Sequence, residues 1–280
     1  MKTLFLAAAA MAALAASPAA AVELNFSDFS STAGLQLNGD AAAANDGTRD
    51  VLRVTPALLG QSGSVFSTNA ITLGADYSFS TRFTFNFNQQ DDAFGGADGL
   101  VFVLQTNANS VGGGGGGIGY EGIPNSLGVE FDDFNNGSGD GDSGNHAGID
   151  FNGDVNSAFL NTSLPFLLSS GSDLTAWIDY DGALGNLQVR LGNSLDRSAA
   201  TLLFDQALTL DLGGTDAFAG FTSGTGSGWA NHDVVSWTFR DTFEPVISTS
   251  VPEPANWALL IMGFGGMGAA LRRRRAFAAA

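Results

Sequence analysis

Apolar residues recur every second position through most of the middle of the chain. Six segments have the composition and spacing of β-strands, namely TRFTFNFN (81–88), GLVFVLQ (99–105), LGVEF (127–131), LTAWIDYD (174–181), NLQVRL (186–191) and DVVSWTF (233–239). Successive side chains of a strand point to opposite faces, so this period predicts sheets with one face in a core. No long stretch between residues 23 and 242 has the 3.6-residue period of a helix. The pattern therefore predicts an all-β fold, a jelly-roll β-sandwich.

Glycine-rich segments separate the predicted strands. The chain has 38 glycines, and six of them are consecutive at 112–117. This run lies between two predicted strands and has no Lys-Ser/Thr after it, so it predicts a loop within the domain rather than a linker or a phosphate-binding loop. With no internal repeat, we expect one domain over residues 22–243 and a linker over 244–251.

Both ends of the chain have the pattern of targeting signals. Residues 1–21 combine Lys2, an apolar run and a small-residue exit at Ala19-Ala20-Ala21, which predicts a secretory signal peptide. At the other end, Ala255–Leu271 is an apolar run of about membrane-spanning length, and Arg272–Arg275 follow it. Contact with a membrane is therefore expected only through the C-terminal segment.

The charge excludes several classes of partner. The net charge is −17, and without the two predicted end segments the chain keeps 6 basic and 27 acidic residues, a net charge of −21. Nucleic acids and anionic lipid surfaces are poor partners for such a protein. Cysteine is absent, which excludes disulfides and thiolate chemistry.

Residues 128–150, GVEFDDFNNGSGDGDSGNHAGID, combine a strand with an unusual set of polar residues. The candidate ligands are Glu130 and Asp132 on one strand face, Asn136, Asp140 and Asp142 in the loop, and His146 at the start of the next strand. Hard oxygen atoms suit Ca²⁺, whereas an imidazole with carboxylates suits Mn²⁺ or another transition ion. The set can serve two adjacent metals that share carboxylates, and the alternative is a solvated acidic loop. An EF-hand is disfavoured because Phe151 stands where its closing Glu is expected.

Four motifs in one order resemble the L-type, or legume-lectin-like, lectins. They are Ala97-Asp98-Gly99-Leu100, the Gly-rich Gly115–Tyr120, the Glu130-x-Asp132-x-Phe134-x-Asn136 segment with His146-Ala-Gly-Ile-Asp150, and GFTSGTGSGWANHDVVSWTF at 220–239. The resemblance covers nearly all of residues 23–242 and implies a concanavalin-like jelly roll that binds carbohydrate and is not an enzyme.

The resemblance also implies roles for individual residues. A transition metal, Mn²⁺ in the family, would be held by Glu130, Asp132, Asp140 and His146, and Ca²⁺ by Asp132, the Phe134 carbonyl, Asn136 and Asp140. Spacing from Glu130 favours Asp140 over Asp142 as the loop acid, and both stay open here. The sugar would meet the Asp98 carboxylate, the Asn136 amide, the Gly116 N–H and a backbone N–H of Ser227 or Gly228, with Phe134 against its apolar face. A cis peptide bond between Ala97 and Asp98 is implied as well.

Two other functions remain alternatives. Some glucanases share the jelly-roll architecture and use Glu-x-Asp-x-Glu on one strand, but here the third position is Phe134, so the acid pair for glycosidic cleavage is out of register. The other alternative is a structural surface or adhesin domain with a decayed sugar site. His232, at a strand start before Asp233, is expected to make a structural hydrogen bond rather than bind a metal.

The C-terminal pattern resembles the PEP-CTERM sorting signal. Pro252-Glu253-Pro254 directly precedes the apolar run and the arginine cluster, so residues 252–280 contain all three elements in order. The resemblance implies processing by a membrane-embedded exosortase and an exported protein at the surface of a Gram-negative bacterium, transiently anchored in the inner membrane.

Overall fold

Two antiparallel β-sheets make up the computed structural model, which describes residues 22–247 apart from residues 92, 108 and 111. The strands are β1 Glu23–Phe26, β2 Leu35–Gly39, β3 Ala42–Asn45, β4 Asp50–Thr55, β5 Ser62–Ser67, β6 Ile71–Thr72, β7 Phe79–Asn88, β8 Gly99–Gln105, β9 Ser126–Asp132, β10 His146–Phe151, β11 Phe159–Asn161, β12 Leu174–Asp181, β13 Asn186–Gly192, β14 Thr201–Ala207, β15 Asp216–Gly224 and β16 Asn231–Arg240. Sheet I has the order β14-β13-β12-β7-β16-β4-β3, with β1 also paired to β16. Sheet II has the order β11-β10-β9-β8-β15-β5-β2, with β6 also paired to β15.

Phenylalanine fills the space between the two sheets. Strand β7 of sheet I turns its odd-numbered residues inward, and Phe79, Phe83, Phe85 and Phe87 are all buried. The ring of Phe83 packs edge-on against Phe221 of sheet II, with centroids 4.9 Å apart. Each such side chain contributes about 1.5–3 kcal/mol when removed from water. This core fixes the two sheets face to face, as the alternating pattern predicts.

The glycine-rich run is a loop, and the residues directly after it cover the outer face of sheet II. Strand β8 is buried along its whole length, and Val101 and Val103 pack outside the main core against Ile118, Tyr120 and Ile123. A strand covered on both faces needs apolar residues at every position, which explains the continuous apolar sequence of GLVFVLQ. The prediction of a loop within the domain is confirmed.

All six predicted strands are present, and the all-β sandwich is confirmed. Helical structure among the described residues is limited to single 3₁₀ turns at 115–117, 138–140, 168–170 and 197–199. The structure adds strands that the pattern did not predict, including the nine-residue β15, DAFAGFTSG. Strand β15 pairs with β8, and its small residues let neighbouring backbone approach, since a Cβ on Gly220 would lie 1.9 Å from the carbonyl oxygen of Val65.

The first part of the predicted linker packs on the outer face of sheet I. The indole N–H of Trp177 donates to the carbonyl of Val246 over 3.0 Å, and the N–H of Glu244 donates to Ser80 Oγ over 3.0 Å. A buried indole N–H needs an acceptor, and the chain after β16 provides one. No helix within the described part of the chain is long and apolar enough to cross a membrane. The predicted signal peptide and the predicted spanning segment lie outside the described residues.

Candidate metal centre and binding loops

The register of β9 and β10 brings three predicted ligands together. His146 is the cross-strand partner of Asp132, and Gly148 is the partner of Glu130. Ligand atoms of Glu130, Asp132 and His146 all lie within 4.8 Å of one another, and the three side chains are buried. A Cβ on Gly148 would lie 2.4 Å from Glu130 Oε1, so only glycine leaves room for the carboxylate.

Hydrogen bonds orient two of these side chains. His146 Nδ1 lies 3.0 Å from the carbonyl oxygen of Ser143, which can only accept, so Nδ1 carries the proton. His146 Nε2 has no hydrogen-bond partner and lies 3.5 Å from Glu130 Oε1. The Ser157 hydroxyl donates to the same Glu130 oxygen over 2.6 Å. An imidazole fixed through one nitrogen, with the other aimed at carboxylates, is the arrangement of a metal-binding histidine.

The electrostatics of this cluster favours a bound cation. Burial and the neighbouring Glu130 raise the pKa of Asp132 well above its usual range. Burial also raises the pKa of Asp140. For His146 burial acts to lower the pKa, but Glu130, Asp140 and the Ser143 carbonyl together outweigh it, and the net shift is upward. A divalent cation would remove this repulsion, so the residues fit the metals that the motif implies.

The two candidate acids in the loop after β9 differ in burial. Asp140 is buried and accepts a hydrogen bond from the backbone N–H of Asn136, which closes a turn within the loop. Asp142 is exposed and has a left-handed backbone, with φ of 57°. The charge of Asp140 acts on Asp132 and His146, but Asp140 is not among the ligand atoms that lie within 4.8 Å of one another, and Asp142 lies at the surface.

Four loops meet beside this cluster, and they contain Asp98, Gly116, Asn136 and Gly226. A Cβ on Gly116 would lie 2.7 Å from Asn136 Nδ2, and a Cβ on Gly226 would lie 3.4 Å from Asp98 Oδ2. The Ala97–Asp98 peptide bond is cis, as the resemblance implies. Burial raises the pKa of Asp98 to about 6, and the nearby carboxylate of Asp133 adds to the shift, while His232 and the Asn136 amide oppose it. Asp98 Oδ2 has no hydrogen-bond partner, so the carboxylate can accept from a ligand.

The remaining predicted residues lie around this convergence point. Phe134 is half-buried, and its N–H donates to Asp132 Oδ1 over 2.7 Å. Asn136 and Ser227 are exposed, whereas Gly228 is buried against the segment that leads to Asp98. A Cβ on Gly228 would lie 3.1 Å from Ala97 Cβ.

Asp133 and His232 form a buried pair that the sequence pattern did not predict. Asp133 Oδ1 lies 3.7 Å from His232 Nε2, both side chains are fully buried, and neither atom has a hydrogen-bond partner. The Ser223 hydroxyl donates to the carbonyl of Gly99 over 2.6 Å, so Thr55 must donate to Ser223 and accept from His232 Nδ1. The expected structural hydrogen bond of His232 is confirmed, and its Nε2 is left facing the Asp133 carboxylate.

Family models match two parts of the chain. Residues 21–254 match the legume lectin domain, and residues 250–275 match the PEP-CTERM protein-sorting motif. Both matches agree with the resemblances that the sequence motifs carry.

Related proteins match over most of the described domain. The L-type lectin-domain containing receptor kinase VIII.1 of Arabidopsis thaliana is 31% identical over 226 residues, which cover 78% of this chain and 30% of that protein. Such receptor kinases match over only 24% to 30% of their length. The basic agglutinin of Psophocarpus tetragonolobus is 34% identical over 184 residues, 60% of this chain and 71% of that protein.

Solved structures share the fold. The basic winged bean lectin with Tn-antigen is 26% identical with a TM-score of 0.65, and the match covers 79% of this chain and 98% of that chain. The lectin from Bauhinia forficata in complex with GalNAc has a TM-score of 0.67 at 22% identity and covers 79% and 97%. These relatives are named as lectins or as proteins with a lectin domain, and this agrees with the prediction that the chain is not an enzyme.

Proposed function

This chain belongs to the legume lectin domain family, and from that premise we propose that it is an exported lectin whose metal-organised site binds glycans or exopolysaccharide. The observation that carries the proposal is the convergence of Asp98, Gly116 and Asn136 beside the buried cluster of Glu130, Asp132 and His146. A neutral sugar offers pairs of hydroxyls, and a carboxylate that accepts from them is a strong, charge-assisted anchor.

Two divalent ions would occupy the cluster. Glu130, Asp132, Asp140 and His146 would hold Mn²⁺ or another transition ion, and Asp132, the Phe134 carbonyl, Asn136 and Asp140 would hold Ca²⁺. When bound, Ca²⁺ fixes the loop from 133 to 145. The chain's own contribution is to hold Asn136 beside Gly116 before a sugar arrives, which lowers the entropy lost on binding.

The sugar contacts are those that the resemblance implies, and the same geometry supports them. The Asp98 carboxylate, the Asn136 amide and the Gly116 N–H would bind hydroxyls, with further donors from the backbone of Ser227 or Gly228. Phe134 would stack on the apolar face of the pyranose. Methyl-α-D-galactose, which appears in complex with the acidic winged bean lectin at 25% identity, is a suitable first probe.

Substituting Asp98 tests the sugar site. We expect Asp98→Asn to keep the fold and both metals but to lower glycan affinity by about 10- to 100-fold, because a charged acceptor becomes a neutral amide. The measurement is a glycan array with and without EDTA, followed by calorimetry on the best glycan. Unchanged affinity in Asp98→Asn would remove Asp98 from the site, and full binding by EDTA-treated protein would refute the metal requirement.

The sorting motif at 250–275 supports export. We propose that an exosortase-type enzyme processes the chain near Pro252 and that the mature protein resides at the cell surface. The intact mass of the native protein is expected to lack residues 1–21 and the segment after Pro252. A full-length species in the cytoplasm would contradict this prediction.

A further inference from the structure

Two exposed apolar turns flank the last of the proposed sugar-binding loops, residues 225–229. On one side the N–H of Gly60 donates to the carbonyl of Gly226 over 3.1 Å. On the other side the N–H of Asp91 donates to the carbonyl of Trp229 over 2.9 Å. The exposed apolar residues on these turns are Leu58, Leu59 and Phe94. Apolar surface therefore borders the loop that offers the Ser227 and Gly228 backbone donors.

The turn that carries Phe94 is fixed by its own hydrogen bonds. Asp91 Oδ1 accepts from the N–H of Ala93 over 2.9 Å and from the N–H of Phe94 over 2.7 Å. The carbonyl of Asp91 accepts from the N–H of Gly95 over 2.9 Å. Yet the Phe94 residue at the tip is 59% exposed. These hydrogen bonds hold the backbone of residues 93–95, and an aromatic ring has few rotatable bonds to restrict when a ligand binds.

Phe94 lies directly against the proposed binding loop. A Cβ on Gly228 would lie 3.0 Å from Phe94 Cβ, so the two residues are in contact and glycine is required for the close approach. Along the chain, Phe94 precedes Asp98 by four residues, and the intervening Ala97 contacts the same glycine. The exposed ring therefore sits beside the primary sugar position, at the edge formed by residues 94–98 and 225–229.

We propose that Phe94 is the platform of a second subsite, on which the next residue of a neutral oligosaccharide or polysaccharide stacks. This inference rests on the proposed function, since it extends the same site. A pyranose presents a face of C–H groups, and an aromatic ring of matching size buries that face while the sugar hydroxyls stay in water. The net charge of −21 for the chain without its predicted ends disfavours a polyanionic glycan.

Affinities for matched pairs of glycans distinguish binding at the second subsite from binding at the first. The probes are a panel of monosaccharides, each paired with an oligosaccharide that ends in the same residue, measured with metal-loaded protein. Phe94→Ala is expected to lower affinity for the oligosaccharide about tenfold and to leave affinity for its monosaccharide within about twofold. Phe94→Trp should keep the oligosaccharide affinity because it restores an aromatic face.

Leu59→Ala serves as the control variant, because Leu59 is an exposed apolar residue on the opposite turn. It is expected to leave both affinities unchanged. The proposal is overturned if Phe94→Ala weakens the monosaccharide as much as the oligosaccharide, if it weakens neither, or if Leu59→Ala matches its effect. Wild-type protein that binds no glycan in the panel would overturn the proposed function and this subsite together, whereas glycan binding without dependence on Phe94 would overturn the subsite alone.

Discussion

Asp132→Ala is expected to release both metal ions and to lower glycan affinity by at least about 100-fold, since even loss of a residue that only orients a metal ligand costs 10–100-fold. Asp132 is, with Asp140, one of two proposed ligands common to both ions, and it also accepts the N–H of Phe134 at the start of the binding loop. The measurement is elemental analysis of protein purified with Ca²⁺ and Mn²⁺, with calorimetry against the best array glycan.

The control for this substitution lies in the same loop. Asp142→Ala removes an exposed carboxylate, so it should keep both ions and full glycan affinity. If Asp142→Ala loses a metal instead, Asp142 rather than Asp140 is the loop ligand. An Asp132→Ala protein that retains both ions would contradict the shared-ligand assignment.

In metal-free protein, substitution of Asp132 should increase stability rather than impair function. In EDTA, Asp132→Asn is expected to raise the free energy of unfolding by about 1 kcal/mol, because it removes a buried charge repelled by Glu130. The pKa of Asp132 is raised in the folded state, so the folded protein binds more protons than the unfolded chain above the ordinary Asp pKa. Wild-type metal-free protein should therefore lose stability as pH rises toward neutrality, and the variant should lose less. Urea titrations at several pH values measure both.

The alternating sequence pattern was sufficient to predict a strand where one face of that strand packs in the core. Strand β7 alternates phenylalanine with polar residues, and it was predicted within two residues of its observed start at Phe79. Strand β15 was not predicted because its two phenylalanines, Phe218 and Phe221, point to opposite faces and its other residues are mostly small, so the sequence shows no contrast between faces. Its small residues reflect close backbone approach, which is a tertiary property.

In the candidate site, too, some residues could be predicted from the local sequence and others only from the folded structure. Six consecutive glycines cannot be told apart by sequence pattern, but the structure distinguishes them, since a Cβ on Gly116 would meet Asn136 while one on Gly113 would meet Glu121. The hydrogen bond of His232 could be expected from its position at a strand start. Its facing acid, Asp133, could not be predicted, because the pair joins the end of β9 in sheet II to the start of β16 in sheet I.

That buried pair predicts a large effect on stability. His232→Ala is expected to lower the free energy of unfolding by about 3–5 kcal/mol, because it removes a fully buried imidazole that packs edge-on against Phe87 and donates to the Thr55 hydroxyl. Urea unfolding in excess EDTA measures this without a contribution from metal affinity, which matters because Asp133 adjoins Asp132. Asp142→Asn, an exposed acid in the loop after β9, is the control and should change stability by less than about 0.5 kcal/mol.

A double-mutant cycle distinguishes the pair from two independent buried residues. Asp133→Asn removes the charge that His232 Nε2 faces, and His232→Gln keeps a polar side chain near Thr55. If the two side chains interact directly across 3.7 Å, the double variant should be less destabilised than the sum of the single variants by about 1–3 kcal/mol. If the effects of the single variants add within about 0.5 kcal/mol, each residue contributes only through its own packing. The contact between the two sheets at this point would then come from the hydrogen bond between Thr55 and Ser223.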